Sequence, residues 1–215
     1  MPSISAAGLD AVTVDAMGTV VELDSPVERL GRALHEHGLE RGQDEVAAAF
    51  GTEIEYYLAH KLAARDSSSL AALRQECSQV FLEAAGAELD PGEFTPSFVE
   101  AIAFRPLEGA VRALERLRAS GLVLACVSDW DIGLRDVLAV IGLGHLFGLV
   151  LTSAEVGAEK PAPTMFLEAL ARLAVEPGRS LHIGDGDADR NGAAAAGLAF
   201  EPVPLATLPD RLGVR

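Results

Sequence analysis

Four short apolar runs in this chain each end in a side chain able to do chemistry. Val12-Thr13-Val14 delivers Asp15 just before Gly18, and Leu124 to Val127 delivers Ser128. Leu181-His182-Ile183 leads into Gly184-Asp185-Gly186-Asp187-Ala188-Asp189, and Leu149 to Thr152 precedes Gly157-Ala158-Glu159-Lys160-Pro161. Carboxylates spaced like Asp185 and Asp189 at a strand-to-helix junction can share one cation, and hard oxygen ligands in an octahedral shell suit Mg²⁺. Lys160 is informative because the chain holds only two lysines, Lys61 being the other, and because Pro161 restricts the backbone before it. Taken singly, each signal also fits a plainer role: Asp15 opening a turn, Ser128 capping a helix, the acids lining a solvated turn.

The elements that would position these residues follow from periodicity. A run as short as Val12–Val14 suits a strand buried on both faces, which puts Asp15 at the carboxyl edge where open α/β sheets bind ligands. From Leu107 onward, helical patterns (108–120, 132–141, 164–173, 188–196) alternate with short apolar strands (122–127, 149–152, 181–183) and a last strand at Ala199-Phe200. That alternation predicts a parallel sheet with helices on both faces. Between 23 and 104 the pattern is helical four times over. The first helix has Ser25 as cap, Pro26 at its first position, Glu28 in its first turn and Val27, Leu30 and Leu34 inward. The second starts from an Asp44 cap and runs through Val46, Phe50, Ile54, Tyr57, Leu58 and Leu62. The third carries Leu70, Leu73, Cys77, Val80, Phe81 and Ala84, and the fourth spans 91–104 with Pro96 placed to shorten it. A small helical bundle inserted into the α/β core is expected.

Composition narrows the partners. The 215 residues are 49% hydrophobic, enough for one good core or a core with a small insertion. A net charge of −15 opposes binding to nucleic-acid backbones and anionic lipid, so neither nucleic acid nor membrane is an expected partner. Cys77 and Cys126 read as reduced core residues. With no secretion signal and no long apolar run, a cytoplasmic location is expected.

The four motifs in this order resemble the haloacid dehalogenase superfamily of hydrolases. Its first motif is Asp-x-Asp-Gly-Thr, against Asp15-Ala16-Met17-Gly18-Thr19 here; Lys160-Pro161 and Gly184-Asp185 with Asp189 match its third and fourth. The resemblance implies an α/β, Rossmann-like core from residues 1–22 and 105–215, with a helical cap at 23–104. It implies a Mg²⁺-dependent phosphohydrolase acting on a small phosphorylated metabolite. Asp15 would be the nucleophile and Ser128 and Lys160 would hold the phosphoryl group. Asp189 would orient Lys160 or the metal's water shell, and Asp15, Asp185 and the backbone carbonyl of Met17 would bind Mg²⁺. Met17 departs from the pattern, since the family's phosphatases have there the Asp that protonates the leaving group. Asp129, Asp131, Asp187, His182, His35 and His60 are candidate replacements. Two other readings follow from the same departure. One is a 2-haloacid dehalogenase-like hydrolase using Arg29 or Arg32 for a substrate carboxylate; the other is a binding or regulatory protein with little turnover. A phosphonate-cleaving variant would need a cap lysine, for which Lys61 is the sole candidate.

Overall fold

The computed structural model describes residues 6–214; residues 1–5, which bear on the expected absence of a secretion signal, and residue 215 lie outside the described residues. The chain divides into two compact units, one reaching to Glu22 and resuming at Pro106, the other Leu23–Arg105.

In the first unit β1 (Ala11–Val14) is the middle strand of the sheet. β2 (Val21–Leu23) and β3 (Phe104–Pro106), a short pair the sequence pattern does not show, form a separate two-stranded sheet. The second unit holds four helices: α1 (Pro26–Glu36), α2 (Gln43–His60), α3 (Ser67–Ala84) and α4 (Pro91–Ala101). The chain then runs through α5 (Ala110–Ala119), β4 (Val123–Ser128), α6 (Leu134–Val140), β5 (Leu149–Thr152), α7 (Ser153–Val156), α8 (Thr164–Leu173), β6 (Ser180–Gly184), α9 (Asp187–Ala196), β7 (Ala199–Pro202) and α10 (Leu208–Arg211). The sheet order is β5-β4-β1-β6-β7, and every neighbouring pair is parallel. All strands therefore end at one edge. β1 and β6 are buried at every position, the polar Thr13, Ser180 and His182 included, which requires cover on both faces. On one face Ala125, Val127 and Leu151 pack with Met165, Phe166 and Leu170 of α8 and with Ala193 and Ala196 of α9. The α/β class expected from the alternation is the one observed.

The helical unit closes on itself: α2 packs on α3, α3 on α4, and α1 on both α2 and α4. Phe81, Phe94 and Phe98 form its aromatic centre, with Phe81 and Phe98 at 5.6 Å between ring centroids. Several local expectations are corrected. Ser25 does not cap α1: its φ is 50° and its hydroxyl donates to Asp24 Oδ1 at 3.4 Å, leaving Pro26, which has no N–H, to open the helix. Asp44 is not the cap of α2; the helix starts at Gln43 and Glu45 reaches back to accept the Gly42 N–H at 2.7 Å. α4 passes through Pro96 and ends at Ala101, so Phe104 belongs to β3. On α2 Leu58 is 54% exposed, and the buried stripe is Val46, Ala49, Phe50 and Glu53. An acid thus holds a core position that helical spacing assigns to that face.

Burial pushes the Glu53 carboxyl up to about 7, only partly opposed by a hydrogen bond with the Cys77 thiol. Below pH ~4.5 it is protonated folded and unfolded alike; between ~4.5 and ~7 only the folded chain keeps the proton, and that contribution is lost as pH rises through 7. Glu53→Gln is therefore expected to match wild type near pH 4.5. At pH 8 it should be more stable by about 2–3 kcal/mol, read from urea midpoints. An equal gain at both pH values would mean that the carboxyl does not titrate in its buried site.

Candidate active site

Asp15 stands one residue past β1, Ser128 ends β4, and Asp185 follows β6, so parallel pairing alone brings three of the motif residues to one edge. Ser128 Oγ donates to Asp15 Oδ1 at 2.9 Å, and Lys160 Nζ donates to the same oxygen at 2.5 Å. Lys160 also donates to Asp189 Oδ1 at 2.6 Å. Its stem is reached from the loop after α7, whose position is fixed by the Lys160 N–H donating to Asp129 Oδ1 at 3.1 Å. Burial disfavours the Lys160 ammonium, but the Asp15 and Asp189 carboxylates outweigh it and hold its pKa above the usual lysine range. Asp189 answers in the opposite direction. Its burial is overcome by hydrogen bonds from His182 and Lys160, and its carboxyl is held well below the ordinary range.

Ligand oxygens of Asp15, Asp185 and Asp189 all lie within 4.8 Å of one another. Burial first, and then repulsion from Asp15 and Asp189, raise the pKa of Asp185. The donor set is all oxygen and carries excess negative charge that one lysine does not balance, which fits a hard divalent cation. Two glycines make room for the acids. A Cβ at Gly18, whose φ is +73°, would stand 2.2 Å from Asp185 Oδ2, and one at Gly184 would stand 2.3 Å from Asp189 Cγ.

The turn after Asp15 is held by backbone bonds. The Ala16 carbonyl accepts from the N–H groups of Thr19, Val20 and Val21, and the Gly18 N–H donates to the Val21 carbonyl. These bonds use the carbonyls of Ala16 and Val21 rather than that of Met17, whose side chain is 37% exposed. Four of the candidate replacement groups have partners of their own. Asp131 Oδ1 accepts the Gly133 N–H at 2.6 Å, Asp187 faces Arg190, His35 faces Glu40, and His60 meets the Tyr56 carbonyl. Within the helical unit, Arg29 donates to the carbonyls of Ala101 and Glu100, and Lys61 is buried. Cys77 and Cys126 are both buried thiols outside any disulfide, and burial raises the Cys126 thiol, so neither resembles a nucleophile.

Two residues of the network carried no motif signal. His182 Nε2 lies 2.9 Å from Asp189 Oδ1, and its Nδ1 lies 2.9 Å from Thr13 Oγ1. The available hint was a titratable ring inside the otherwise apolar strand Leu181-His182-Ile183. Among the described residues no helix is long and apolar enough to cross a membrane.

Comparison with known proteins places this edge in a family. Haloacid dehalogenase-like hydrolase domain-containing protein 3 of Mus musculus is 43% identical over 102 residues, 47% of this chain and 41% of that protein. The glyceraldehyde 3-phosphate phosphatase of Methanopyrus kandleri is 36% identical over 96 residues, 44% of this chain and 41% of that protein. The matched stretches thus span under half the length of these relatives. Among solved structures, a defluorinating L-2-haloacid dehalogenase superposes with a TM-score of 0.74 at 19% identity over 96% of each chain, a likeness of fold. The profile of the haloacid dehalogenase-like hydrolases matches residues 9–197, a span that takes in Asp15, Ser128, Lys160, Asp185 and Asp189. The chain belongs to that family of hydrolases.

Proposed function

We propose that the chain is a phosphohydrolase acting on a small phosphorylated metabolite through an aspartyl phosphate at Asp15. The observation that carries this reading is the convergence on Asp15 Oδ1 of Ser128 Oγ at 2.9 Å and Lys160 Nζ at 2.5 Å, with Asp185 beside it. A hydroxyl and an ammonium placed next to a carboxylate form a seat for phosphoryl oxygens within reach of a nucleophile. The phosphatase name of the Methanopyrus kandleri relative supports the same chemistry.

In the first half-reaction an Asp15 carboxylate oxygen bonds to phosphorus as the ester oxygen departs with its electron pair. In the second, water bonds to phosphorus and Asp15 departs as a carboxylate, yielding inorganic phosphate. Lys160 offsets the repulsion between Asp15 and the incoming phosphoryl oxygens, Ser128 donates to one of those oxygens, and Asp189 holds Lys160 in place. Asp15, Asp185 and the Met17 backbone carbonyl would hold Mg²⁺, which when bound supplies further neutralisation of phosphoryl charge. A thioether neither donates nor takes a proton, so Met17 leaves the departing oxygen without the acid that the family's phosphatases use. That favours substrates whose leaving group needs no proton.

The 2-haloacid dehalogenase-like reading is favoured by Met17, since those enzymes also lack an Asp there. Asp185, an acid they do not keep, and the engagement of Arg29 with the backbone of α4 weigh against it. The experiment is a panel of alkyl, aryl and acyl phosphates and 2-haloacids, each with and without Mg²⁺. Phosphate release that requires Mg²⁺, with no halide release, is expected. Metal-independent halide release would reverse the choice, and no turnover of any compound would favour a binding role.

A further inference from the structure

We propose that His182 is a positioning residue that holds Asp189 in the orientation receiving Lys160, and thereby aims the Lys160 ammonium at Asp15. The inference rests on the phosphohydrolase reading for its catalytic consequence, but its geometry stands by itself.

His182 is fully buried on β6, with Thr13 of β1 as its register partner and the Phe166 ring near-perpendicular to it at 4.8 Å between centroids. Its Nε2 meets Asp189 Oδ1 at 2.9 Å, the same oxygen that receives Lys160 Nζ at 2.6 Å. Nζ in turn reaches Asp15 Oδ1 at 2.5 Å. The network therefore leaves β1 at Thr13 and returns one residue past the end of that strand, at Asp15, after passing through β6, α9 and the loop before α8.

Donor and acceptor roles follow from what each group can do. An ionised carboxylate only accepts, so the bond to Asp189 requires a ring proton on Nε2. Nδ1 faces two groups of Thr13, the hydroxyl oxygen at 2.9 Å and the backbone carbonyl at 3.1 Å, so the other side of the ring is tied to β1. The other oxygen of Asp189 accepts the Gly186 N–H at 3.2 Å, so both of its oxygens are fixed. This matters because a lysine ammonium is a point charge on a flexible stem and takes its direction from its acceptors. Packing alone would be met by an apolar side chain on β6. A buried imidazole with both nitrogens satisfied instead transfers the rigidity of two central strands to the lysine.

The test has an arm that needs no turnover. Nitrogen-15 NMR of the histidine-labelled wild-type protein should show a proton on Nε2 of His182 that exchanges slowly. An unprotonated Nε2, or an Nε2 proton in free exchange, would overturn the chain. The kinetic arm compares His182→Asn, which leaves no donor at the Nε2 position, with His182→Gln, whose amide can place one there. The Asn variant should lower kcat by roughly 10-fold or more and Gln should recover most of the loss. Thr13→Val, close in volume, should lower kcat in the same direction by less. In an Asp189→Asn background His182→Asn should cost under about twofold more, because the group it positions is already altered. Equal losses in the Asn and Gln variants, or losses that multiply in the double variant, would show packing and refute positioning. A wild type inactive on every ester would count against the phosphohydrolase reading, with the ring-proton result still deciding the positioning chain.

Discussion

Asp15→Asn is expected to abolish phosphate release, by roughly 10⁴–10⁶-fold, while leaving a folded protein. The amide is nearly the same size and its oxygen can still accept from Ser128 and Lys160, so the hydrogen bonds around it can persist. What disappears is the anionic oxygen proposed to attack phosphorus and one of the three carboxylates clustered at the edge. Lys160 keeps Asp189 as a partner at 2.6 Å, so no buried cation is stranded. Asp185 should respond as well: Asp15 is one of the charges raising its pKa, and neutralising Asp15 should move that pKa down. Measurement of turnover at saturating Mg²⁺, with acid-quench trapping of the phosphorylated chain, checks the first claim. Turnover near the wild-type rate, or a trapped phosphate in the mutant, would show that Asp15 is not the nucleophile.

Met17→Asp should raise turnover of an alkyl phosphate by up to about 10²–10⁴-fold, because it restores a group able to protonate the leaving oxygen and then to activate water. The site can accept the change. Met17 is 37% exposed, and the bridge between Met17 and Val21 is made by backbone groups that do not depend on the side chain. An aryl phosphate should gain less in the first step, since its leaving group needs little protonation, although water attack on the aspartyl phosphate can still limit both. The opposing effect is electrostatic. A new carboxylate near Asp15 and Asp185 adds repulsion and raises neighbouring pKa values, and if another group already supplies the proton, activity stays flat or falls. A pH series with single-turnover data separates phosphoryl transfer from hydrolysis. A fall on all substrates in a folded, metal-binding mutant would sink the missing-acid explanation.

From the sequence alone came the alternation of helices and apolar runs, and with it the parallel sheet. Periodicity reports burial directly, and a parallel connection needs a crossover, so Asp15, Ser128 and Asp185 had to fall at strand ends on one edge. The misplaced details lay where local signals compete. Ser25 had cap chemistry but took a left-handed backbone, and Glu53 occupied an apolar stripe from which its charge had excluded it. Only the tertiary structure set Lys160 against Asp15 across 145 residues of chain, and made Asp189 the shared acceptor of Lys160 and His182. It also turned Thr13 from a β-branched strand former into the hydrogen-bond partner of a buried imidazole. Side-chain convergence depends on strand register and loop path, and neither is written in the spacing of residues along one element.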